Sequence, residues 1–242
     1  MTPWQAYDIV LDHVVMAADS LESGEQWLAS RLGVTLQAGG QHTGWGTHNK
    51  LLQIGGGVYL ELIAGDPTQP TPKVLGNHGK MDKRARPFGL DQPATRRALA
   101  DRPRLLHYVM RTRQLAQAAG AVDYDCGAVQ AMRRGELQWQ ITIGEGGMPC
   151  LSGDRHSHRR INRGRAVVSV LPTLIDWGST PHPATRLEHR GISFQSLNIA
   201  APAAQLIRLA GITRDPRLVL QQATQTALGM ELQTPLGWVL LN

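Results

Sequence analysis

Residues 11–16 read LDHVVM and residues 105–110 read LLHYVM, so a Leu, a His, a Val and a Met recur at the same four places. Both runs consist mainly of branched, apolar and aromatic residues, which are typical of half-buried β-strands. The repeat predicts two equivalent strands, each carrying one histidine, His13 and His107.

Each imidazole is expected to face apolar neighbours. Because side chains alternate across a strand, His13 is predicted to share a face with Leu11 and Val15. In the same way, His107 is predicted to share a face with Leu105 and Val109. A polar ring directed among such residues indicates either a satisfied core histidine or a ligand for a metal or small molecule.

The composition indicates a folded globular chain. Its 242 residues could form one large domain or two modules that share a core. Hydrophobic residues make up 42% and charged residues 18%, which excludes the composition of a disordered chain.

The net charge of +6 and the pI of about 9.8 favour an acidic partner. Much of the positive charge lies in two runs, residues 80–86 (KMDKRAR) and 155–165 (RHSHRRINRGR). Such runs are usually solvated surface loops, and no recognisable nucleic-acid-binding module accompanies them. The sequence therefore argues against nucleic acid as the partner and predicts that residues 155–165 are an exposed loop.

The cysteines and the amino-terminal region suggest a cytoplasmic protein. Cys126 and Cys150 are too few and too far apart for a disulfide framework or a CxxC site. Residues 1–18 have no signal-peptide pattern, and no apolar run reaches the roughly 18 residues of a membrane span. We therefore expect no membrane association.

The first part of the chain predicts a strand–helix–strand–strand–strand (βαβββ) unit at about residues 7–64. A helix capped by Asp19 or Ser20 ends at Gly33, and strands follow at 34–38, 50–54 and 58–64. Residues 39–49 (GGQHTGWGTHN) are predicted to be a loop.

The same order of elements is predicted at about residues 105–178, after a Pro- and Gly-rich linker at 65–104 that contains one short helix at 94–100. A third, partial copy is predicted at about 190–242. It has Gln195 where the other copies carry His, so it is expected to be structural.

Each of the first two units also ends in a strand that carries a carboxylate. Glu61 lies in VYLELIA and Asp176 lies in LPTLIDWG. A buried charge is costly unless it has a partner or binds a metal. Two imidazoles and two carboxylates would suit Zn, Ni, Mn or Fe(II).

Taken together, LDHVV, HTGWGTHNKLLQIG, YLELIAGDP, LHYVMRT and LPTLIDWG resemble the glyoxalase-like domain group of the vicinal oxygen chelate superfamily, which includes glyoxalase I and extradiol dioxygenases. The resemblance covers residues 11–241. It implies an α+β fold in which paired βαβββ modules form a curved-sheet cup, with the third partial module added.

The resemblance also implies a divalent metal held in the cup by His13, Glu61, His107 and Asp176. Glu61 would be the general base of metal-dependent lyase, isomerase or dioxygenase-type chemistry on a small substrate with adjacent oxygens. Asp176 is one methylene shorter than the superfamily's Glu. Members of the superfamily form the cup within one chain or across a homodimer.

Structural alternatives exist for the polar residues. Glu61 and Asp176 could pair with an arginine across the cup, such as Arg111. His42 and His48 could form a ligand-contacting rim or a simple turn, and His182 favours a turn.

A second function is a binding or sequestering protein that uses the same cup without turnover. Trp45, Trp139 and Trp177, with His48, are the predicted pocket residues because indole rings can stack on a planar ligand.

Overall fold

A computed structural model describes residues 6–69, 72–75, 81–83, 85–144, 147–150, 169–212 and 215–242. The basic run 155–165 lies outside the described residues, and so do residues 80 and 84 of the run 80–86. No helix in the described part of the chain is long and apolar enough to cross a membrane.

The first unit has the predicted order of elements. It consists of β1 (Val10–Ala17), α1 (Leu21–Leu32), β2 (Gln37–His42), β3 (Thr47–Gln53) and β4 (Tyr59–Gly65).

Helix α1 begins and ends where its capping residues predict. The Ser20 hydroxyl accepts a hydrogen bond from the Ser23 amide, and Gly33 closes the helix in the left-handed conformation at φ 71°. Both ends of α1 are therefore encoded locally.

Strand β2 lies several residues later than predicted, because it includes Gly39 and Gly40. A Cβ atom at Gly39 would lie 2.0 Å from Oδ1 of Asn49 on β3. Glycine is needed there because the two strands approach each other closely. Residues 39–49 contain few residues that favour strands, so the sequence did not predict that β2 extends into them.

The segment between the first two units is more regular than the predicted linker. It contains a short hairpin of β5 (Lys73–Leu75) and β6 (Met81–Lys83), a 3₁₀ turn (Pro87–Gly89) and α2 (Pro93–Asp101). Helix α2 confirms the helix predicted at 94–100.

The second unit repeats the order of the first. It consists of β7 (Arg104–Arg111), α3 (Leu115–Ala121), β8 (Ala128–Arg134), β9 (Leu137–Ile143) and β10 (Thr173–Asp176).

The third segment consists of β11 (Ser193–Ala201), α4 (Ala203–Ala210), β12 (Leu218–Gln222), β13 (Ala227–Thr234) and β14 (Gly237–Leu241). Its first strand pairs in parallel with its second strand, whereas the first strand of the first unit pairs in parallel with its last. The third segment therefore has the predicted order of elements but a different pairing.

The first two units join into one sheet with the strand order β2-β3-β4-β1-β7-β10-β9-β8. The edge strands β2 and β8 contact each other, so the sheet curls into a cup. This arrangement confirms the predicted α+β fold of paired βαβββ modules, and the two modules pair within one chain.

The repeated strands meet at the centre of this sheet. On antiparallel β1 and β7, His13 lies opposite Val109, and the equivalent pair, His107 and Val15, lie opposite each other. The register shifts also match, since one falls beside Asp12 and the other beside Leu106. This pattern is what a pseudo-twofold axis between the two repeats produces.

Two apolar layers lie on opposite sides of the eight-stranded sheet. The convex side packs against α1, α3 and the second sheet, which has the order β12-β11-β13-β14. The concave side carries a smaller cluster that includes Val15 and Val109.

Leu11 and Leu105 belong to the convex cluster, so the prediction that they share a face with the histidines was wrong. The register shifts caused this, because a bulge changes the alternation of side chains.

Candidate functional site

A cavity of about 540 Å³, counted out to its open mouth, lies on the concave side of the eight-stranded sheet. Both modules contribute to the cavity wall. The polar side chains on the described part of that wall are His13, His42, Asn49, Tyr59, Glu61 and Arg134.

A fully buried carboxylate, that of Asp12, lies behind His13. Its Oδ1 is 2.6 Å from Nδ1 of His13, and its Oδ2 accepts hydrogen bonds from Nε1 of Trp177 at 3.0 Å and from Nε2 of His182 at 2.9 Å. Arg111 is 3.9 Å away from the same Oδ2. Arg111, which could have paired with Glu61 or Asp176, therefore lies near Asp12 instead. The sequence did not lead to a prediction of Asp12 as a site residue, although it is a charged residue within an apolar strand.

Glu61 lies on the cavity side of His13 and is 5% exposed. Its Oε2 is 3.5 Å from Nε2 of His13, and its Oε1 accepts a hydrogen bond of 2.6 Å from the Asn49 amide. Tyr59 stacks on the His13 ring at a centroid distance of 4.6 Å. His13 is thus held between two carboxylates and against an aromatic ring.

These contacts determine the charge states of His13 and Glu61. Burial favours the neutral forms, but hydrogen bonds to Asp12 and Glu61 outweigh it and raise the pKa of His13 to about 9. Burial also opposes ionisation of Glu61, but its hydrogen bond and charge interaction with His13 lower its pKa to about 2. At neutral pH, an imidazolium therefore lies between two carboxylates.

Asn49 connects Glu61 to the rim. Its Oδ1 accepts hydrogen bonds from the Gly40 amide at 2.9 Å and from a guanidinium nitrogen of Arg134 at 3.1 Å. His42 lies beside it, with Nδ1 2.9 Å from the Thr47 hydroxyl. Burial lowers the pKa of His42, so this ring is neutral. Of the two predicted rim histidines, His42 lines the cavity.

The other wall is apolar. The rings of Trp139 and Trp177 lie 5.5 Å apart at 37°, and both line the cavity with Phe88 and Met132. Phe88 has a φ of 59°, which is unusual for a bulky residue. Its ring lies 5.4 Å from that of His107.

The remaining predicted pocket residues are placed elsewhere. Trp45 is buried in the apolar cluster of the concave side, next to the cavity. His48 is half-buried, and alternation along β3 puts it on the face opposite to Asn49. His182, which favoured a turn, does cap one through Nδ1 and also donates to Asp12 through Nε2.

His107 does not present a free nitrogen to the cavity. Its Nε2 accepts from the Thr173 amide at 3.1 Å, and its Nδ1 is 3.2 Å from the Ser169 carbonyl oxygen. Burial lowers its pKa to about 3, so the ring is neutral. These bonds are those of a satisfied core histidine.

The carboxylate of Asp176 is half-buried and accepts a hydrogen bond from the Gly178 amide at 2.7 Å. The structure thus brings His13 and Glu61 together, without His107 or Asp176 at the same point.

A catalytic zinc usually has three protein ligands. Within the described ranges, no group of three or more His, Cys, Asp or Glu side chains is placed to hold a metal. The described donors do not fit the predicted metal site.

The model of the glyoxalase-like domain family matches residues 11–211. No curated protein matches the chain. A crystal structure of a hypothetical protein from Staphylococcus aureus is 12% identical, covering 90% of this chain and 87% of that one, with a TM-score of 0.50, and it has the same fold.

Methylmalonyl-CoA epimerase from Mycobacterium tuberculosis is 16% identical, covering 73% of this chain and 91% of that one, with a TM-score of 0.39. The Streptomyces coelicolor enzyme, in complex with 2-nitronate-propionyl-CoA, is 17% identical, covering 72% and 96%, with a TM-score of 0.37. Both scores are too low to support an inference about activity. The family model, however, covers most of the chain. The chain belongs to the glyoxalase-like domain family.

Proposed function

We propose that the chain is a small-molecule enzyme of the isomerase or lyase type, which moves a proton at a carbon next to a carbonyl group. The observation that carries this proposal is the buried Glu61 carboxylate on the cavity wall, 3.5 Å from the His13 imidazolium. A carboxylate base beside a cationic donor is the pair that proton abstraction next to a carbonyl requires.

In this proposal, Oε2 of Glu61 accepts the proton from carbon. The N–H of His13 at Nε2 donates a hydrogen bond to the substrate oxygen, on which negative charge develops. Asp12 holds the other ring nitrogen and keeps the imidazole charged and oriented. Return of the proton to another position gives an isomer, and loss of a leaving group gives a lyase product.

Glu61 becomes a better base when substrate binds. In the free protein, its interactions with His13 lower its pKa, while burial acts in the opposite direction. A substrate oxygen that takes the His13 hydrogen bond weakens this pairing. The buried carboxylate then has a higher pKa and accepts a proton more readily.

The alternative, binding without turnover, is supported by the aromatic wall of Trp139 and Trp177. Such a wall holds a planar ligand whether or not a reaction follows. The two proposals differ in whether the C–H bond of the ligand is broken.

The test is proton exchange in D2O. A panel of 2-oxo acids and α-hydroxy ketones is incubated with the protein, and loss of the C–H signal next to the carbonyl is followed by NMR. We expect exchange with the wild type, a loss of at least about a hundredfold in Glu61→Gln, and no loss in Glu188→Gln, whose carboxylate is exposed.

Exchange that is equally fast in Glu61→Gln would overturn the role of Glu61. Ligand binding with no exchange for any panel member would support the binding protein instead. Thermal melting of each variant shows whether it is folded.

A further inference from the structure

We infer that Arg134 selects the substrate, and that this substrate is a monocarboxylic acid with an apolar or aromatic body. This inference deepens the proposed function, on which it rests for the identity of the reacting carbon. The binding of the acid itself requires only the cavity and Arg134.

The first observation is a cation on the cavity wall without a carboxylate partner among the described residues. Arg134 lines the cavity, and its described bond is the 3.1 Å hydrogen bond to the neutral Asn49 side chain. Guanidinium groups carry five N–H donors in a planar fork that fits a carboxylate. Arg134 therefore has donors available for an acidic ligand.

The second observation is that this side chain is positioned by both modules. Arg134 ends β8 of the second module, and its stem crosses to β2 of the first module. A Cβ atom at Gly40 would lie 2.6 Å from Cδ of Arg134, so the missing side chain of Gly40 makes room for the stem. Gly40 and Asn49 together hold the guanidinium at the rim.

The distance between Arg134 and Glu61 sets the length of the acid. One side-chain amide, that of Asn49, spans the two groups, with hydrogen bonds of 3.1 Å to Arg134 and 2.6 Å to Glu61. A carboxylate bound by Arg134 therefore brings the carbon next to it, or the following carbon, toward Glu61. Asn49 separates the ligand's carboxylate from that of Glu61 and limits their repulsion.

The rest of the wall indicates the body of the acid. Met132, Trp139, Ile141 and Trp177 line the cavity beyond the polar residues. Apolar and aromatic surface of this kind favours a hydrocarbon or aromatic ring over a second charged group. In an acid with one carboxylate and a ring or branched chain, the carboxylate can bind Arg134 while the ring or chain packs against the apolar residues.

A purely structural Arg134, which only bridges the modules, predicts a different result. In that case its removal would reduce stability and the affinity for every ligand alike. A role in selection predicts that the acid is affected and the uncharged analogue is not.

The experiment is equilibrium binding of a matched pair, 3-phenylpropanoate and 3-phenylpropanamide, followed by calorimetry. We expect the wild type to bind the acid roughly ten- to a hundredfold more tightly than the amide, as for a charged hydrogen bond. Arg134→Gln should remove this preference with the amide Kd unchanged. Arg134→Lys should keep part of it, because the charge remains but the fork is lost.

Two further variants complete the test. Gly40→Ala should weaken acid binding by displacing the Arg134 stem, and Arg96→Gln, at an exposed position on α2, should change nothing. Equal Kd values for acid and amide in the wild type, equal losses for both in Arg134→Gln, or no binding of either compound would overturn the inference. Because neither compound needs to react, the proton-exchange test can fail while acid preference persists, and the two proposals are tested separately.

Discussion

Nδ1 of His13 lies 2.6 Å from Oδ1 of Asp12, although the two residues are consecutive in one strand. Neighbouring side chains of a regular strand point to opposite faces. Here the register of β1 against β7 shifts between Leu11 and His13, so that the local alternation is broken and the two side chains meet. A short bulge thus supplies the cavity imidazole with its own buried carboxylate.

This pairing predicts the effect of Asp12→Asn. The charge that raises the pKa of His13 is removed while burial remains, so the pKa should fall from about 9 by more than one unit. NMR titration of labelled histidines measures it. Asp19→Asn, at an exposed position, is the control, and an unchanged His13 titration would contradict the assigned role of Asp12.

The same pairing has a consequence for stability. A histidine whose pKa is raised by folding contributes stability below its ordinary pKa, and this contribution is lost as pH rises through the raised value. We expect Asp12→Asn to cost about 1–3 kcal/mol at pH 6, because donors from His13, Trp177 and His182 lose a charged acceptor. The difference from the wild type should shrink as pH approaches 9 in urea unfolding experiments.

The lowered pKa of His107 predicts that its contribution to the free energy of unfolding depends on pH with the opposite sign. Burial lowers its pKa to about 3, so the unfolded chain takes up a proton below about pH 6.5 that the folded chain does not. This residue should therefore cost the wild type about 2 kcal/mol of stability between pH 7.5 and pH 5.

The His107→Leu variant lacks this term, and its stability should fall less over that range in urea unfolding. His189→Leu, at an exposed position, shows whether removal of any histidine has the same effect. Parallel pH profiles for the wild type and His107→Leu would contradict the assignment of His107 as a neutral core residue.

The donor geometry also makes a prediction about metal. His13 and Glu61 converge as a pair, while His107 and Asp176 are bonded elsewhere. We expect elemental analysis of protein purified without chelator to find Zn, Ni, Mn and Fe at well below one atom per chain. One tightly bound atom per chain that disappears in Glu61→Gln would restore the metal site predicted from the sequence.

The second sheet should stabilise the cup. Leu197 on β11 is fully buried in the convex core, whereas Val219 on β12 is 46% exposed. Leu197→Ala should cost about 2–5 kcal/mol of unfolding free energy, and Val219→Ala less than about 1 kcal/mol. A small effect of Leu197→Ala would mean that the two sheets fold as separate units.

By itself, the sequence determined the local elements and the equivalence of the two central strands. Ser20 and Gly33 mark the ends of α1, and the LDHVVM repeat indicates the two central strands, because capping residues and strand composition act over a few neighbouring positions. The positions of Glu61 and Trp177 on the cavity wall were also predicted, since a buried carboxylate needs a partner and an indole ring can stack on a planar ligand.

Only the tertiary structure decided which polar groups share that environment. Two equivalent histidines received different roles, because Thr173 and Ser169 complete the hydrogen bonds of His107, while His13 meets Asp12 and Glu61. These partners depend on a one-residue bulge and on strands far apart in the chain. Arg134 and Asn49 were missed for the same reason: a hydrogen bond between the two modules exists only once the sheet has curled and its distant strands have met.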